Sequence, residues 1–200
     1  MDNNTKGSRR SLIDQNETYV SRSAYKLASV AEIFKLDFKN KVVLDVGSST
    51  GGFTDFALKH GAASVFAVEK GTNQMDRLLR LNPLVKLFEK TDVRDFKPDL
   101  SIDVVLIDVS FVSLKDILPH IAAISSKQTI IVAMAKPQFE TRDAQLKNKG
   151  VIKNERIRRD ILYDLELWLK SGFKILAKAD SKIEGVKGNK ERFYKLQAFN

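Results

Sequence analysis

The chain has no cysteine and only two histidines, His60 and His120, among its 200 residues. The absence of thiols excludes disulfides, thiolate metal sites and cysteine nucleophiles, and two imidazoles argue against a histidine-rich metal site. No apolar run approaches the roughly 20 residues that a membrane-spanning helix needs, and residues 1–17 lack the apolar segment of a signal peptide. We therefore expect a cytoplasmic protein that binds neither a metal nor a membrane.

Acidic residues are too few to balance the basic ones, because Asp and Glu total 25 while Lys and Arg total 34, which leaves a net charge of +9. A basic surface attracts polyanions, of which nucleic acid is the commonest, although a basic composition can also serve solubility alone. The basic residues concentrate in two segments: Lys147, Lys149, Lys153, Arg156, Arg158 and Arg159, and then Lys182, Lys187, Lys190 and Arg192. Three of the arginines lie at the start of a predicted helix, where the dipole disfavours cations, so we expect phosphates to bind there.

Apolar strands and amphipathic helices alternate along the chain. Strands are predicted at 41–46, 64–68, 85–88, 102–107, 129–134, 173–177 and 193–199. Helices are predicted from Ser21, at 52–60, 73–80 and 113–124, and from Asn154 to Gly172, with a polar loop at 138–150. The alternation predicts an α/β fold with a doubly wound, mostly parallel, seven-stranded sheet. Because no helix separates the last two strands, we expect the last strand to be antiparallel, as in the Rossmann-like methyltransferase fold.

A glycine-rich turn follows the first predicted strand, in the segment KVVLDVGSSTGGF at 41–53. The turn contains Gly47, Gly51 and Gly52, and the next predicted strand ends in an acid, Glu69. Such a layout is typical of a nucleotide-type ligand, because glycines admit close backbone approach and the acid accepts hydrogen bonds from ribose hydroxyls. The turn has neither GxGxxG nor GxxxxGK[ST] spacing. It therefore favours S-adenosylmethionine, and a nicotinamide oxidoreductase remains as an alternative.

Charged residues end two neighbouring predicted strands, since Asp108 closes the fourth strand and Lys136 follows the fifth. Both should lie at the edge where open parallel sheets hold their ligands. Glu191 before the last strand and Lys26 on the first helix complete a candidate set of four. A sulfonium methyl donor needs orientation and a proton acceptor, and a neutral lysine amine can accept the proton of a ribose hydroxyl. Asp92, after the third strand, is either a partner of the adenine amino group or a simple turn residue.

Other methyl acceptors fit the sequence less well. Methylation at carbon 5 of a pyrimidine usually proceeds through a cysteine adduct, which this chain cannot form. Methylation of an exocyclic amine commonly uses an Asn/Asp-Pro-Pro-aromatic segment after the fourth strand. Here the corresponding residues read Asp-Val-Ser-Phe at 108–111, without a proline. A hydroxyl is therefore the favoured acceptor.

Five segments follow one another in the order YVSRSAYKL, LDVGSSTGGFTD, IDVSFVSL, KPQFE and GNKERF. Together they resemble the TlyA (haemolysin A-like) ribosomal RNA methyltransferases, relatives of the FtsJ-type ribose 2'-O-methyltransferases, over 19–199. The resemblance implies S-adenosylmethionine-dependent methylation of a ribose 2'-hydroxyl, of a cytidine, in ribosomal RNA or ribosomal subunits. It also implies a catalytic tetrad, which falls on Lys26, Asp108, Lys136 as the proton acceptor, and Glu191. The implied donor site comprises Asp45, Gly47, Ser48, Gly51, Gly52, Phe53, Glu69, Asp92 and Asp108.

The chain departs from the family pattern at its start. TlyA-type proteins usually carry an N-terminal RNA-binding domain, whereas the residues before the SRSAYKL motif are too few to form one. We expect 1–18 to be a flexible polar tail or linker remnant, and 19–200 to be an FtsJ-like methyltransferase domain. The alternative function is a non-catalytic RNA- or ribosome-binding module that keeps the methyltransferase fold.

Overall fold

A seven-stranded sheet forms the centre of the molecule. The computed structural model describes residues 18–141, 143, 150–185 and 188–199. The strands are β1 (Val42–Val46), β2 (Ser64–Val68), β3 (Val85–Phe88), β4 (Val104–Ile107), β5 (Ile130–Ala135), β6 (Phe173–Asp180) and β7 (Arg192–Ala198). They lie in the order β3-β2-β1-β4-β5-β7-β6, with β1 to β5 parallel and β7 antiparallel to both of its neighbours. The predicted fold class is confirmed.

Helices cover both faces of this sheet. They are α1 (Arg22–Ala31), α2 (Gly52–Lys59), α3 (Arg77–Arg80), α4 (Leu114–Ala123), α5 (Pro137–Glu140) and α6 (Glu155–Leu169). Apolar side chains of α1 and α2 share one core cluster with one face of the sheet, and those of α4 and α6 share another cluster with the opposite face. The central strands are therefore buried on both sides, which explains their nearly continuous apolar sequences.

Two predicted segments differ from the structure. The helix expected at 73–80 is reduced to α3, because Asp76 accepts a hydrogen bond from Leu78 N and caps the helix at that point. The loop expected at 138–150 begins as a helical turn, because α5 extends to Glu140. The helix begins with Pro137, at a position where proline is favoured. The polar composition of that segment concealed the turn.

Part of the predicted chain organisation lies outside the described residues. This applies to the expected tail at 1–18, apart from Thr18, and to Lys147, Lys149 and Lys187 of the basic segments. In the part of the chain that the structure describes, none of the helices has the length and apolar character that crossing a bilayer requires.

The last strand is inserted between β5 and β6 and brings its beginning to the ligand-binding edge of the sheet. Ile131 pairs with Leu196, and Ala135 pairs with Arg192. Continuing this register by one residue places Lys136 opposite Glu191. The strand pairing alone therefore makes two residues of the predicted tetrad cross-strand neighbours.

Two glycines of the turn between β1 and α2 fit against neighbouring helices. Gly51 has a φ of +96°, and a Cβ at this position would meet Leu79 of α3. A Cβ on Gly52 would meet the hydroxyls of Ser21 and Ser23 at the start of α1. The absence of a side chain at both positions therefore allows the turn to pack against α1 and α3.

Gly52→Ala should lower the free energy of unfolding by about 1–3 kcal/mol, because the added methyl group overpacks the contact with α1. Gly172→Ala is the matched control, since a Cβ there meets nothing within 4 Å, and it should change stability by no more than about 0.5 kcal/mol. Urea unfolding of both variants measures the difference. Equal stabilities of the two variants would show that the close packing of Gly52 is unimportant.

Candidate active site

A cavity of about 590 Å³ opens at the carboxyl ends of β1, β2 and β4. Its wall includes Gly47 and Ser49 of the glycine turn, Glu69 after β2, and the segment 108–112 after β4. Open parallel sheets bind their ligands at this edge, and the volume lies in the range of small-molecule and cofactor sites. The predicted ligand turn and the predicted chemistry of the strand ends therefore meet at one cavity.

A smaller cavity of about 190 Å³ adjoins the first one. The two share part of their wall, namely Gly47, Ser49, Asp108 and Ser110. The rest of the small lining consists of Ser23, Asp45, Ser48, Phe53 and Lys136. At the shared wall Gly47 has a φ of +80°, and a Cβ there would lie 2.7 Å from the carbonyl oxygen of Asp108. A glycine at this position therefore lets the ends of β1 and β4 approach closely.

Lys136 makes two contacts with the segment that follows β4. Its Nζ lies 2.7 Å from Asp108 Oδ1 and donates a hydrogen bond to Ser110 Oγ at 2.8 Å. Only 12% of the Lys136 side chain and 16% of the Asp108 side chain are exposed. Because water screens such a pair weakly, the carboxylate and the hydroxyl together hold the amine in one place.

Lys26 and Glu191 form the second ion pair of the predicted tetrad. Lys26 Nζ donates to Glu191 Oε2 at 2.6 Å, and both residues are buried. Since the β5–β7 register sets Glu191 opposite Lys136, the two pairs occupy neighbouring strand ends. The four residues are therefore gathered at one edge of the sheet as two ion pairs.

Asp45 is a buried acid in the lining of the small cavity, and no basic side chain of the described residues forms an ion pair with it. Only 1% of the residue is exposed, and Thr54 Oγ1 donates to its Oδ2 at 2.7 Å. Among the described residues, its Oδ1 has no hydrogen-bond partner. Burial raises the pKa of Asp45 to about 7 against the opposing hydrogen bond from Thr54, and the charges of Asp108 and Glu69 raise it further.

Glu69 connects the end of β2 to the glycine turn. Its Oε2 accepts a hydrogen bond from Ser49 N at 2.9 Å, and its Oε1 accepts one from Gly71 N at 2.6 Å. The carboxylate also lines the large cavity. Glu69 therefore shapes the backbone of the turn while it keeps a face toward the ligand site.

Asp92 lines the large cavity and is already engaged by two basic side chains. Arg94 donates from Nε to Oδ1 at 2.9 Å and from Nη2 to Oδ2 at 2.6 Å. Lys70 Nζ donates to Oδ2 at 3.3 Å. The Arg94 guanidinium holds the pKa of Asp92 well below its usual range, so the carboxylate is ionised at neutral pH.

The structure places the predicted site residues in two overlapping cavity linings, one buried ion pair and one pair of packed glycines. The large cavity is lined by Gly47, Glu69, Asp92 and Asp108, and the small one by Asp45, Gly47, Ser48, Phe53, Asp108 and Lys136. Lys26 and Glu191 belong to neither lining and form their own buried pair. Gly51 and Gly52 also belong to neither lining, because they pack against helices. Within the described ranges no group of three or more His, Asp or Glu side chains is arranged to hold a metal ion.

Ser110 and Phe111 are among the site residues that were not predicted from the sequence. Ser110 accepts the hydrogen bond from Lys136, and Phe111 lines the large cavity with 91% of its surface exposed. Phe111 also has a φ of +66°, and its ring centroid lies 5.0 Å from that of Phe139. The available signal was a polar and an aromatic residue directly after the acid that ends β4.

The structure contradicts the expected phosphate site at the start of α6 for one of its three arginines, Arg158. The residue is only 5% exposed, its Nη2 lies 2.8 Å from Asp180 Oδ1, and its Nε donates to the carbonyl of Lys190 at 3.0 Å. A buried arginine engaged in this way does not present its charge to a phosphate, so the expectation for Arg158 is wrong. Arg156 and Arg159 are exposed.

Asp45→Asn should change how stability depends on pH. A carboxyl whose pKa is raised by folding keeps its proton in the folded protein at pH values where the unfolded chain has lost it. Asp45 should therefore contribute a fall of up to about 4 kcal/mol to the free energy of unfolding of the wild type as the pH rises from about 4 to about 7. The variant should lack this part of the decline. Urea unfolding of both proteins between these pH values checks the prediction, and parallel curves would contradict it.

Comparison with known proteins identifies relatives of the chain. The FtsJ-like methyltransferase model matches residues 19–198. The chain is 37% identical over 181 residues to the 23S rRNA (cytidine-2'-O)-methyltransferase TlyA of Campylobacter jejuni, covering 90% of this chain and 71% of that protein. It is 35% identical over 190 residues to the 16S/23S rRNA (cytidine-2'-O)-methyltransferase TlyA of Mycobacterium tuberculosis, covering 93% of this chain and 71% of that protein.

A solved structure from Streptococcus thermophilus, described as a hemolysin candidate, has the same fold. It superposes with a TM-score of 0.85 at 35% sequence identity, and the match covers 92% of this chain and 69% of that chain. These similarities confirm the resemblance that the five sequence segments carried. The chain is therefore a methyltransferase of the FtsJ-like family, homologous to the TlyA proteins.

Proposed function

We propose that the chain transfers the methyl group of S-adenosylmethionine to the ribose 2'-hydroxyl of a cytidine in ribosomal RNA. The observation that carries this proposal is the largely buried pair of Lys136 and Asp108 beside two continuous cavities at the carboxyl ends of parallel strands. An amine in that position can accept the proton of a hydroxyl presented at the shared wall. The alternative of a non-catalytic binding module gives this pair no role.

The residues present fit an S-adenosylmethionine site. The large cavity has the volume for a nucleoside, and Glu69 offers carboxylate oxygens to ribose hydroxyls. Asp92 is the candidate partner of the adenine amino group, and the side chain that would give way is Lys70, which is 77% exposed. In the small cavity, Asp45 Oδ1 is a buried acceptor that an ammonium group would satisfy. When bound, the sulfonium supplies an electrophilic methyl group.

Lys136 would act as the proton acceptor, and its neighbours would hold it in place. A ribose hydroxyl attacks a methyl carbon as it loses its proton, and an oriented amine accepts that proton only in its neutral form. Asp108 and Ser110 keep the amine at the shared wall of the cavities. The pair of Lys26 and Glu191 would fix the adjacent strand end and add its field to that of the first pair.

The acceptor RNA is inferred from the relatives and from charge. Both TlyA relatives are described as cytidine-2'-O-methyltransferases of ribosomal RNA. The net charge of +9 suits a polyanionic substrate. Neither observation depends on the geometry of the site, so they support the proposal independently of Lys136.

Lys136→Ala should lower the rate of methyl transfer by roughly 10²- to 10⁴-fold, because the general base is removed. Transfer of labelled methyl from S-adenosylmethionine to ribosomal subunits measures the rate. The matched control is Lys178→Ala, since Lys178 forms an ion pair with Glu166 at the same 2.7 Å length but belongs to β6 and lines neither cavity. The control should transfer methyl groups at the wild-type rate.

Unchanged transfer by Lys136→Ala would refute the role of the lysine. If the wild type binds S-adenosylmethionine in calorimetry but transfers nothing to any ribosomal substrate, the non-catalytic binding module is the better description. Binding of a nicotinamide dinucleotide instead of S-adenosylmethionine would point to the oxidoreductase.

Replacing the exposed pair Arg156 and Arg159 with glutamine should weaken RNA binding and reduce its salt dependence. Each phosphate contact that is lost lowers the slope of log affinity against log salt concentration by about 0.7 to 0.9. Arg158 stays unchanged because it is buried. Titration of ribosomal RNA at several salt concentrations tests this, and an unchanged slope would exclude these arginines from the RNA contact.

A further inference from the structure

Glu140, the last residue of α5, binds the first turn of another helix. Only 8% of the residue is exposed. Its Oε2 accepts a hydrogen bond from Ser113 Oγ at 2.6 Å, and its Oε1 accepts one from Leu114 N at 2.9 Å. A carboxylate at the start of α4 is favoured by the helix dipole and satisfies a backbone donor that the helix leaves free. The capping acid of α4 thus comes from a different element.

The residue that precedes α5 contacts the beginning of the loop between β4 and α4. Lys136 directly precedes α5, and its amine contacts Asp108 and Ser110 at the beginning of the β4–α4 loop. Glu140 contacts Ser113 at the end of that loop. The charged side chains of Lys136 and Glu140, on either side of one helical turn, therefore hold the loop 108–113 at both of its ends.

The middle of the loop needs such fastening. Phe111 has a φ of +66°, which is an unfavourable backbone conformation for a bulky side chain and persists only when the surroundings enforce it. Its ring lies 5.0 Å from that of Phe139, the neighbour of Glu140 in α5. Most of the loop also lines the large cavity. A loosened loop would therefore change both the cavity wall and the partners of the Lys136 amine.

We propose that Glu140 is a positioning residue for methyl transfer, whose carboxylate fastens the β4–α4 loop to α5 and thereby keeps Asp108 and Ser110 against Lys136. Glu140 does not touch the reacting atoms. It acts through the loop, and the inference rests on the proposed role of Lys136 as the proton acceptor.

Glu140→Ala should lower kcat at least tenfold, which corresponds to about 1.4 kcal/mol, while KM for the ribosomal substrate changes far less. Glu140→Gln should restore kcat to within about threefold of the wild type, or about 0.7 kcal/mol. Its amide oxygen can accept from Leu114 N, and its amide nitrogen can donate to Ser113 Oγ. The assay is methyl transfer to ribosomal subunits with each substrate varied in turn.

Two further variants separate positioning from stability. Asp103→Ala is the stability control, because Asp103 Oδ2 accepts a hydrogen bond from Val42 N at the opposite edge of the sheet; it should keep the wild-type kcat at temperatures well below its melting point. Ser113→Ala serves if Glu140→Ala does not fold; it removes the contact of Ser113 with Glu140 together with the hydrogen bond that Ser113 Oγ accepts from Lys115 N. It should lower kcat by at least about threefold, and a wild-type kcat would overturn the inference.

The outcomes distinguish this inference from the proposed function. Wild-type kcat in folded Glu140→Ala, together with an inactive Lys136→Ala, would overturn the positioning role and leave the proposed function intact. Folded Glu140→Gln that is as slow as Glu140→Ala would also overturn it, because the contacts would then not suffice. If Lys136→Ala is as active as the wild type, the proposed role of Lys136 as proton acceptor fails, and this inference loses its premise.

Discussion

The antiparallel pairing of β7 with β5 is the constraint on which the site depends. In a purely parallel sheet only residues that follow a strand reach the ligand-binding edge. Because β7 runs in the opposite direction, the residue that precedes it reaches this edge as well. The ladder that ends with Ala135 and Arg192 therefore brings Glu191, and through it Lys26 of α1, beside Lys136. The same insertion closes the core under α6, so the fold and the site depend on one set of backbone hydrogen bonds.

Four charged side chains at this edge form two ion pairs, whereas Asp45 and Glu69 form none within the described part of the chain. Lys136 is held by Asp108, and Lys26 by Glu191, as burial of charge requires. Asp45 accepts hydrogen bonds from Thr54 instead, and burial raises its pKa to about 7. A buried acid without a cation is unfavourable for stability, and such residues concentrate where a ligand supplies the missing partner.

The seven strands, their mostly parallel arrangement and the strand ends could be predicted from the sequence, because buried parallel strands read as apolar runs and the residues after them share one edge. The ends of the helices were harder to predict, because a local hydrogen bond can override the helical periodicity, as the bond to Asp76 does where it shortens α3. Contacts between distant elements were not accessible. Nothing in the sequence shows that Glu140 caps α4, or that Gly52 is small because α1 lies against it. The charge pattern alone also misplaced Arg158, because a cluster of basic letters does not distinguish a solvated cation from a buried one.

The contact between Lys26 and Glu191 joins residues 165 positions apart. Protein synthesis proceeds from the amino terminus, and domains generally acquire structure as the chain emerges. Glu191 is synthesised after β1 to β6 and directly before β7. A growing chain can thus form most of the sheet while its first helix still lacks this counterion. The ion pair of Lys26 and Glu191 therefore forms only when translation of the domain is nearly finished.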